Sequence, residues 1–119
     1  MISNKKYDLE DRTLKYAKDV RKHLRNVPKD LINNEDIKQC VRSSGSIGAN
    51  YREANESLSK KDFLMRIKIS RKESKETIYW LNLILCNQDQ EVERDRLIQE
   101  GTELMKIFGA ILEKSKKTF

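Results

Sequence analysis

The chain has 119 residues and a net charge of +6, and charged and hydrophobic residues each make up 37% of it. This length fits one domain over residues 1–119, and a composition with one Pro and four Gly is typical of helices with mixed-charge faces rather than of strands. No apolar run approaches the roughly 20 residues needed to cross a bilayer. Residues 1–6 lack the apolar region of a signal peptide, so we expect a cytoplasmic protein without a membrane partner.

The first helix is bounded by charge and by the one proline. Residues 1–7 are predicted to be a lead-in, and Asp8 or Asp11 is expected to begin the helix because carboxylates stabilise the positive end of the helix dipole. Pro28 ends it, since its ring removes an N–H donor and disfavours a helical backbone at Val27. One apolar face recurs at helical spacing: Leu9, Thr13, Tyr16, Ala17, Val20, Leu24 and Val27.

The second helix has an unusually small centre. Asn33 and Asn34, followed by Glu35 and Asp36, predict its start, with an amide as the cap. Residues 43–49 carry hardly any side-chain bulk apart from Ile47. Two glycines inside a helix cost about 1 kcal/mol each relative to alanine, so we predict the close approach of a neighbouring helix. The alternative is a phosphate-binding loop, but the GxxxxGK[ST] pattern and a preceding strand are missing.

A polar stripe on the second helix has a counterpart on the third. We expect the polar members of both stripes to form an interhelical network. The alternative is a pocket in which the carboxylates bind a metal, but a di-iron bundle needs two Glu-x-x-His units and the chain has one His. We therefore predict no metal and no cofactor. The residues assigned to an interhelical or subunit interface are Arg42, Ser46, Ala49, Asn50, Glu53, Arg66, Ile69, Glu73, Glu76, Trp80 and Leu83.

The third helix, predicted from Ser59 to about Cys86, has two stripes where a surface helix needs one. Ser59 and Asp62 approximate a capping box, and the short turn before them predicts an antiparallel hairpin with the second helix. One stripe, which includes Phe63 and Leu81, is expected to face the chain's own core. A chain this short has few helices left to cover the other stripe, so we expect a second copy to cover it.

A polar break at residues 87–90 precedes the fourth helix. Its apolar stripe runs from Val92 to Leu112, and Gly101 within this stripe predicts another close helix contact. Lysines at positions 114, 116 and 117 complement the negative end of the helix dipole. The sequence therefore predicts an all-α protein with four helices.

Positive charge is concentrated in two segments. Residues 5–29 contain nine basic and four acidic residues, a net charge of +5, and residues 57–76 contain seven and three, a net charge of +4. If these segments lie side by side, they form one basic surface that attracts polyanions by releasing counterions. The alternative is a pair of solvated faces with interspersed acids. The candidate nucleic-acid contacts are Lys15, Lys18, Arg21, Lys22, Arg25, Lys60, Lys61, Lys68, Arg71 and Lys72.

No catalytic residue is predicted. His23 is the only histidine, and no second His, Cys or paired carboxylate is spaced to assist it. Cys40 and Cys86 fit no metal-ligand spacing. In antiparallel helices they would lie about 15 Å apart along the axis, which is too far for a disulfide. We interpret both as packing residues.

Three stretches of the sequence resemble a known bacterial family. They read RSSGSIGANYREA at residues 42–54, SKKDF at 59–63 and KESKETIYWL at 72–81. These stretches resemble the four-helix-bundle proteins encoded in intervening sequences of 23S rRNA genes, which are often labelled ribosomal. The resemblance extends over nearly the whole chain.

This resemblance implies an up-down antiparallel four-helix bundle that assembles into a homopentameric ring around a central channel. Relatives include the accessory variability determinant of diversity-generating retroelements, a basic pentamer that engages a reverse transcriptase and nucleic acid. The resemblance therefore implies self-association, with RNA, DNA or a reverse transcriptase as further partners. The ribosomal label by itself does not indicate a role in the ribosome.

These observations favour a non-enzymatic oligomeric scaffold whose basic surface binds RNA or DNA, or a nucleic-acid-processing partner, without sequence specificity. Binding is expected to weaken steeply with salt, since no aromatic ladder or recognition motif is present. The alternative is a protein–protein adapter whose basic face binds an acidic partner. An enzyme is disfavoured because the sequence has no nucleophile–base pair, phosphate loop or metal set.

Overall fold

Four α-helices make up most of the chain. The computed structural model describes the backbone of residues 5–117 and the side chains of residues 8–116. The helices are α1 (Lys5–Arg25), α2 (Leu31–Asn55), α3 (Lys60–Leu83) and α4 (Glu91–Lys117), with a short 3-10 turn (Gln88–Gln90) directly before α4. No strand occurs within residues 5–117, so the predicted all-α fold with four helices is confirmed.

Helix α1 begins earlier than predicted. It starts at Lys5 rather than at Asp8 or Asp11, since no glycine or proline interrupts this segment, and Asp8 still lies in its first turn. There the carboxylate complements the positive end of the helix dipole. The remainder of the predicted lead-in, residues 1–4, lies outside the described residues. The helix ends at Arg25, which agrees with a stop before Pro28.

Asp30 caps α2, and the predicted cap at Asn33 or Asn34 is wrong. Asp30 has an extended backbone, and its side chain accepts a hydrogen bond from the Asn33 N–H at 2.8 Å. Asn33 is buried, and its amide donates to the carbonyls of Pro28 at 2.8 Å and Leu85 at 2.9 Å and accepts from the Leu85 N–H at 2.9 Å. An amide can do both because it carries a donor and an acceptor, whereas a carboxylate only accepts.

Helix α3 ends at Leu83, three residues before the predicted end at Cys86. Ile84 takes an extended backbone and is buried, and Asn33 holds the backbone of Leu85 in the loop. Burial of Ile84 and the contact with Asn33 together turn the chain away from the helix axis. The predicted polar break follows and leads through the 3-10 turn into α4.

The helices run up and down, each antiparallel to its neighbours. Between α2 and α3, Asn50 pairs with Arg66 and Ser43 pairs with Thr77, so position numbers rise along one helix as they fall along the other. The same reversal relates α1 to α2, α3 to α4 and α4 to α1. Because α1 and α3 both pack on α2 and on α4, they occupy opposite corners of the bundle.

Close helix contacts occur at two glycines. A Cβ atom on Gly48 of α2 would lie 2.7 Å from Oγ1 of Thr13, and one on Gly101 of α4 would lie 2.6 Å from the Tyr16 hydroxyl. Both neighbours belong to α1, and the Tyr16 hydroxyl donates to the Leu97 carbonyl at 2.8 Å. The predicted close approach at the small-residue segment is confirmed, and the two contacts fix α1 against both adjacent helices.

Candidate polyanion-binding surface

Two of the candidate cations on α1 are bound within the fold. The Nζ atom of Lys15 lies 2.7 Å from Oδ2 of Asp19 on the same helix. Arg21 is half-buried and donates from Nη1 to the carbonyl of Ala17 and from Nη2 to the carbonyl of Val41, both at 3.3 Å. Neither side chain is free to reach an external phosphate without giving up these contacts.

An acid–base network neutralises the face of α1 that meets α4. Oδ2 of Asp19 also accepts from Nη2 of Arg96 at 3.1 Å, and Nε of Arg96 donates to Oε1 of Glu93 at 2.7 Å. Burial raises the pKa of Asp19, but hydrogen bonds from Lys15 and Arg96 outweigh it and leave the pKa below its usual value. The hydrogen bond with Arg96 likewise lowers the pKa of Glu93. These carboxylates therefore remain charged opposite the cations of α1.

The other three candidate cations of α1 lie at the surface. Lys22 lines a polar cleft together with Asp19 and Glu93, so carboxylates oppose its charge. Lys18 and Arg25 are exposed and form no ion pair with any side chain in residues 8–116. Helix α1 therefore offers two unopposed cations rather than five.

A row of cations lies along α3 where this helix faces α4. The four cations that belong to α3 are exposed and have no ion-pair partner among the described side chains. They are Lys68, Arg71, Lys72 and Lys75. They recur at intervals of three, four and seven residues, so they share one helix face and span about 10 Å along the axis. Lys116 of α4 adjoins them and lies 3.3 Å from Glu113. We call this set the α3–α4 basic surface: Lys68, Arg71, Lys72, Lys75 and Lys116.

The floor of the α3–α4 basic surface is aliphatic. Two shallow clefts of about 380 Å³ and 390 Å³ share Lys68, Arg71 and Leu112 as lining residues, and Met105 lines the first of them. Gly109 belongs to the second, and a Cβ atom there would lie 3.6 Å from Nε of Arg71. No aromatic side chain is among the lining residues, so the clefts offer charge and no stacking platform.

The two basic segments do not form one surface. Their helices occupy opposite corners of the bundle, and the cations of α1 lie toward the end at which α3 terminates. The side-by-side arrangement considered from the sequence is therefore wrong. Of the two remaining candidates, Lys60 donates to the Ser115 carbonyl at 2.9 Å, and Lys61 is exposed beside a separate groove on α3.

Comparison with known proteins identifies the family. Residues 5–110 match the family model described as 23S rRNA-intervening sequence protein. The chain belongs to this family. It is also similar to the crystal structure of a protein with unknown function from the S23 ribosomal protein family of Bacteroides thetaiotaomicron VPI-5482. The two are 33% identical, the match covers 87% of this chain and 96% of that chain, and the TM-score is 0.73. No curated protein matches the chain.

In this 23S rRNA-intervening sequence protein, the two polar stripes meet between α2 and α3. Nη1 of Arg42 donates to Oε2 of Glu73 at 2.8 Å, and its Nη2 lies 3.4 Å from Oε1 of Glu76. Nη1 of Arg66 donates to Oδ1 of Asn50 at 2.9 Å. The structure thus brings five of the interface candidates together within one chain.

The other interface candidates surround this network. Glu73 is buried, and its Oε1 atom and Nε1 of Trp80 have no hydrogen-bond partner among the described residues. The Trp80 ring packs edge-on against Tyr79, with ring centroids 5.1 Å apart. The remaining members divide into half-buried Ser46 and Ile69 and exposed Ala49, Glu53 and Leu83. The outer face of α2 and α3 is therefore partly available to another molecule.

Four surface residues were not selected from the sequence. Lys75 continues the row of Lys68 and Lys72 at helical spacing, which was a usable signal, whereas the position of Lys116 beside this row depends on how α4 packs. Met65 and Tyr79 are 47% and 58% exposed on the outer face of α3. The predicted second stripe was placed one residue away from them, at Arg66, which donates to Asn50 of α2, and at half-buried Trp80.

The buried titratable groups of this family member are suited to packing. Burial lowers the pKa of His23 and raises the pKa of the Cys40 thiol to about 12. Cys40 is buried, Cys86 is half-buried, and both are free thiols. Among residues with described side chains, no three His, Cys, Asp or Glu side chains are grouped to hold a metal ion. No helix in residues 5–117 contains an apolar stretch able to span a bilayer.

Proposed function

We propose that this protein is a non-enzymatic oligomeric scaffold whose α3–α4 basic surface binds RNA or DNA, or a partner that processes nucleic acid, without sequence specificity. The observation that carries the proposal is the row of α3 cations that have no ion-pair partner among the side chains of residues 8–116. Unpaired surface cations neutralise phosphates and release counterions at no cost in broken ion pairs. The family resemblance adds a reverse transcriptase as a partner class, and the proposed compartment is the cytoplasm.

The surface favours phosphate contacts over base contacts. Base-specific recognition needs an element that enters a groove or splays out a base, and stacking needs aromatic side chains. The α3–α4 basic surface is a shallow face between two helices with an aliphatic floor. Lysine and arginine on such a face can follow a phosphate backbone of any sequence. We therefore expect binding with a strong salt dependence and little discrimination between sequences.

Self-association is the second part of the proposal, and the outer face of α3 supports it. Met65, Tyr79 and Leu83 are 47%, 58% and 45% exposed along this face, and Ile69 and Trp80 are half-buried beside them. A row of large exposed apolar side chains is typical of an interface. In a homopentamer, as the family resemblance implies, each copy would add its own basic surface. Light scattering at micromolar concentration is expected to give a multiple of the 14.1 kDa chain mass.

A binding measurement with paired variants tests the nucleic-acid proposal. The variant Arg71→Gln with Lys75→Gln removes two cations of the α3–α4 basic surface, and Lys15→Gln with Lys22→Gln removes two cations of α1 that carboxylates oppose. Fluorescence anisotropy with a labelled RNA duplex and a DNA duplex is recorded over a salt series. We expect the α3 variant to reduce the slope of log K against log salt by about 2, and the α1 variant by much less.

The two variants carry the same change in net charge, so a difference between them reports position. If both variants reduce the slope equally, the effect is one of net charge alone, and the assignment of the binding surface to α3 is wrong. Binding by the wild type that does not weaken as salt rises would overturn the phosphate mechanism itself.

A protein–protein adapter is the second candidate function. The groove on α3 that includes Lys61 has an aliphatic floor of Leu64, Met65 and Ile69, which is more suited to side chains than to phosphates. A pull-down from native cells that survives nuclease treatment would favour the adapter. Loss of all partners after nuclease treatment would favour the scaffold that binds nucleic acid.

A further inference from the structure

One end of the bundle carries an exposed apolar patch. Leu31 and Ile32 at the start of α2 are 82% and 75% exposed, and Leu85 in the loop after α3 is 67% exposed. Asn33 holds these segments together through its hydrogen bonds to the Leu85 backbone. The three side chains therefore lie on one ordered end of the fold, and exposed apolar patches of this kind mark interaction sites.

Acidic side chains surround this patch, which we call the acidic end. Asp30 accepts from the backbone of α2, Glu35 lies 3.5 Å from Lys38 in an exposed pair, and Asp36 is half-buried without an ion pair among the described residues. The nearby cations are Lys38, which pairs with Glu35, and Lys29, which donates to backbone carbonyls and keeps its charge. Three carboxylates against two cations leave this end with a net charge of −1. The residues of the acidic end are Leu31, Ile32, Leu85, Asp30, Glu35 and Asp36.

The groove on α3 has the opposite charge around a similar apolar centre. It is a cleft of about 450 Å³ in the N-terminal half of the helix. Asp62 is its one acidic lining residue, and none of its lysines has an ion-pair partner in residues 8–116. We call it the lysine groove, and it is lined by Leu64, Met65, Ile69, Lys61, Lys68 and Lys72.

We infer that the acidic end of one copy docks into the lysine groove of the next copy, an inference that rests on the self-association proposed above. Both surfaces pair apolar centres with rims of opposite charge, so the contact buries apolar area and matches charge. The two surfaces of one copy cannot meet, because the acidic end lies where α3 terminates and the groove lies toward its start. The contact is therefore between copies.

A ring, as the family resemblance implies, would need a contact of this type. A closed ring of more than two identical subunits needs an interface in which two different surfaces meet, repeated around the axis. The outer face of α3 supplies one such surface, and the acidic end is its complement in charge. Docking also covers Lys68 and Lys72, and it leaves Arg71, Lys75 and Lys116 of the α3–α4 basic surface open to nucleic acid.

Two single substitutions test the contact. Ile32→Lys places a positive charge on the acidic end, where it would face the lysine groove. Met65→Lys removes part of the apolar floor of the groove and adds a charge that must be desolvated. Both side chains are well exposed, so the fold is expected to persist, and circular dichroism checks this. Leu14→Lys on α1 is the control, because Leu14 is 44% exposed and the added charge is the same.

Each variant alone is expected to associate about tenfold more weakly or worse, and the control is expected to keep the mass of the wild type. An equimolar mixture gives the decisive result. The intact groove of the Ile32→Lys chain accepts the intact end of the Met65→Lys chain, and the two altered surfaces repel each other. Light scattering should then give twice the 14.1 kDa chain mass and no larger species.

The outcomes separate this inference from the function on which it rests. A wild type that stays monomeric at micromolar concentration overturns both the self-association and the inference. A wild type that assembles, with variants that assemble equally well or a mixture that forms no dimer, overturns the inference alone. Polyanion binding by the Arg71 and Lys75 variant is measured independently of either result.

Discussion

Helices α1 and α3 carry similar positive charge in the sequence but use it in different ways in the fold. On α1, Lys15 pairs with Asp19, and Arg21 is inserted beside Gly45 with hydrogen bonds to two backbone carbonyls. On α3, Arg71 and Lys75 have no ion-pair partner among the described side chains. Lys15 and Arg21 therefore contribute to the assembly of the bundle, whereas Arg71 and Lys75 remain available to an external anion.

The difference shows that net charge is a weak guide to polyanion binding and that unopposed charge is a better one. A cation that already pairs with a carboxylate must give up that interaction before it neutralises a phosphate. An unpaired cation has nothing comparable to lose. Both close glycine contacts are made against α1, and Gly101 also meets Ile78 of α3.

The largest expected effect compares a glycine that packs on α1 with one that packs on α3. Gly48→Ala would place Cβ 2.7 Å from Oγ1 and 3.1 Å from Cβ of Thr13, a contact that α1 must move to relieve. Overpacking of this kind costs about 1–3 kcal/mol. Gly109→Ala would place Cβ at an ordinary 3.6 Å from Nε of Arg71, and it is expected to stabilise the protein by up to about 1 kcal/mol through helix propensity.

Urea unfolding of both variants measures these changes in the free energy of unfolding. Gly109→Ala serves as the matched control, since the added methyl group and the gain in helix propensity are the same. If Gly48→Ala is as stable as Gly109→Ala, the close contact with Thr13 does not fix the position of α1. The two helices then do not differ in how tightly a glycine packs against them.

The sequence predicted the number of helices and the close contact at Gly48 because periodicity and the cost of glycine are local signals. It misplaced the α2 cap because Asp30 and Asn33 are both good capping residues, and the choice depends on Leu85, which is distant in sequence. The pair of Lys15 with Asp19 is local, and its i, i+4 spacing was a usable signal that was not used. The contact of Arg21 with the Val41 carbonyl and the pair of Asp19 with Arg96, 77 residues away, depend on how the helices pack and have no such signal.

A smaller effect is expected when one arginine from each helix is replaced. Arg21→Gln removes hydrogen bonds to the carbonyls of Ala17 and Val41 and should lower the free energy of unfolding by about 1 kcal/mol. Arg71→Gln should change it by less than about 0.5 kcal/mol, since Arg71 forms no ion pair with any side chain that the structure describes. For polyanion binding we expect the larger effect from Arg71→Gln, which should reduce the slope of log K against log salt by about 1. If Arg21→Gln and Arg71→Gln lose the same stability, or weaken polyanion binding equally, the two arginines do not differ in role.

The smallest expected effect concerns Asp19, the carboxylate that pairs with Lys15 of α1 and Arg96 of α4. Hydrogen bonds from Lys15 and Arg96 keep the pKa of Asp19 below its usual value, so Asp19 adds stability above its unfolded-state pKa of about 4 and loses it as the pH falls through the lower folded-state value. Asp19→Asn should therefore lower the free energy of unfolding by about 0.5 kcal/mol at neutral pH. Urea unfolding at neutral pH and below pH 4 checks this, and the gap between wild type and variant should close in acid. If the difference in the free energy of unfolding between wild type and variant stays constant with pH, Asp19 contributes by packing and not through its charge.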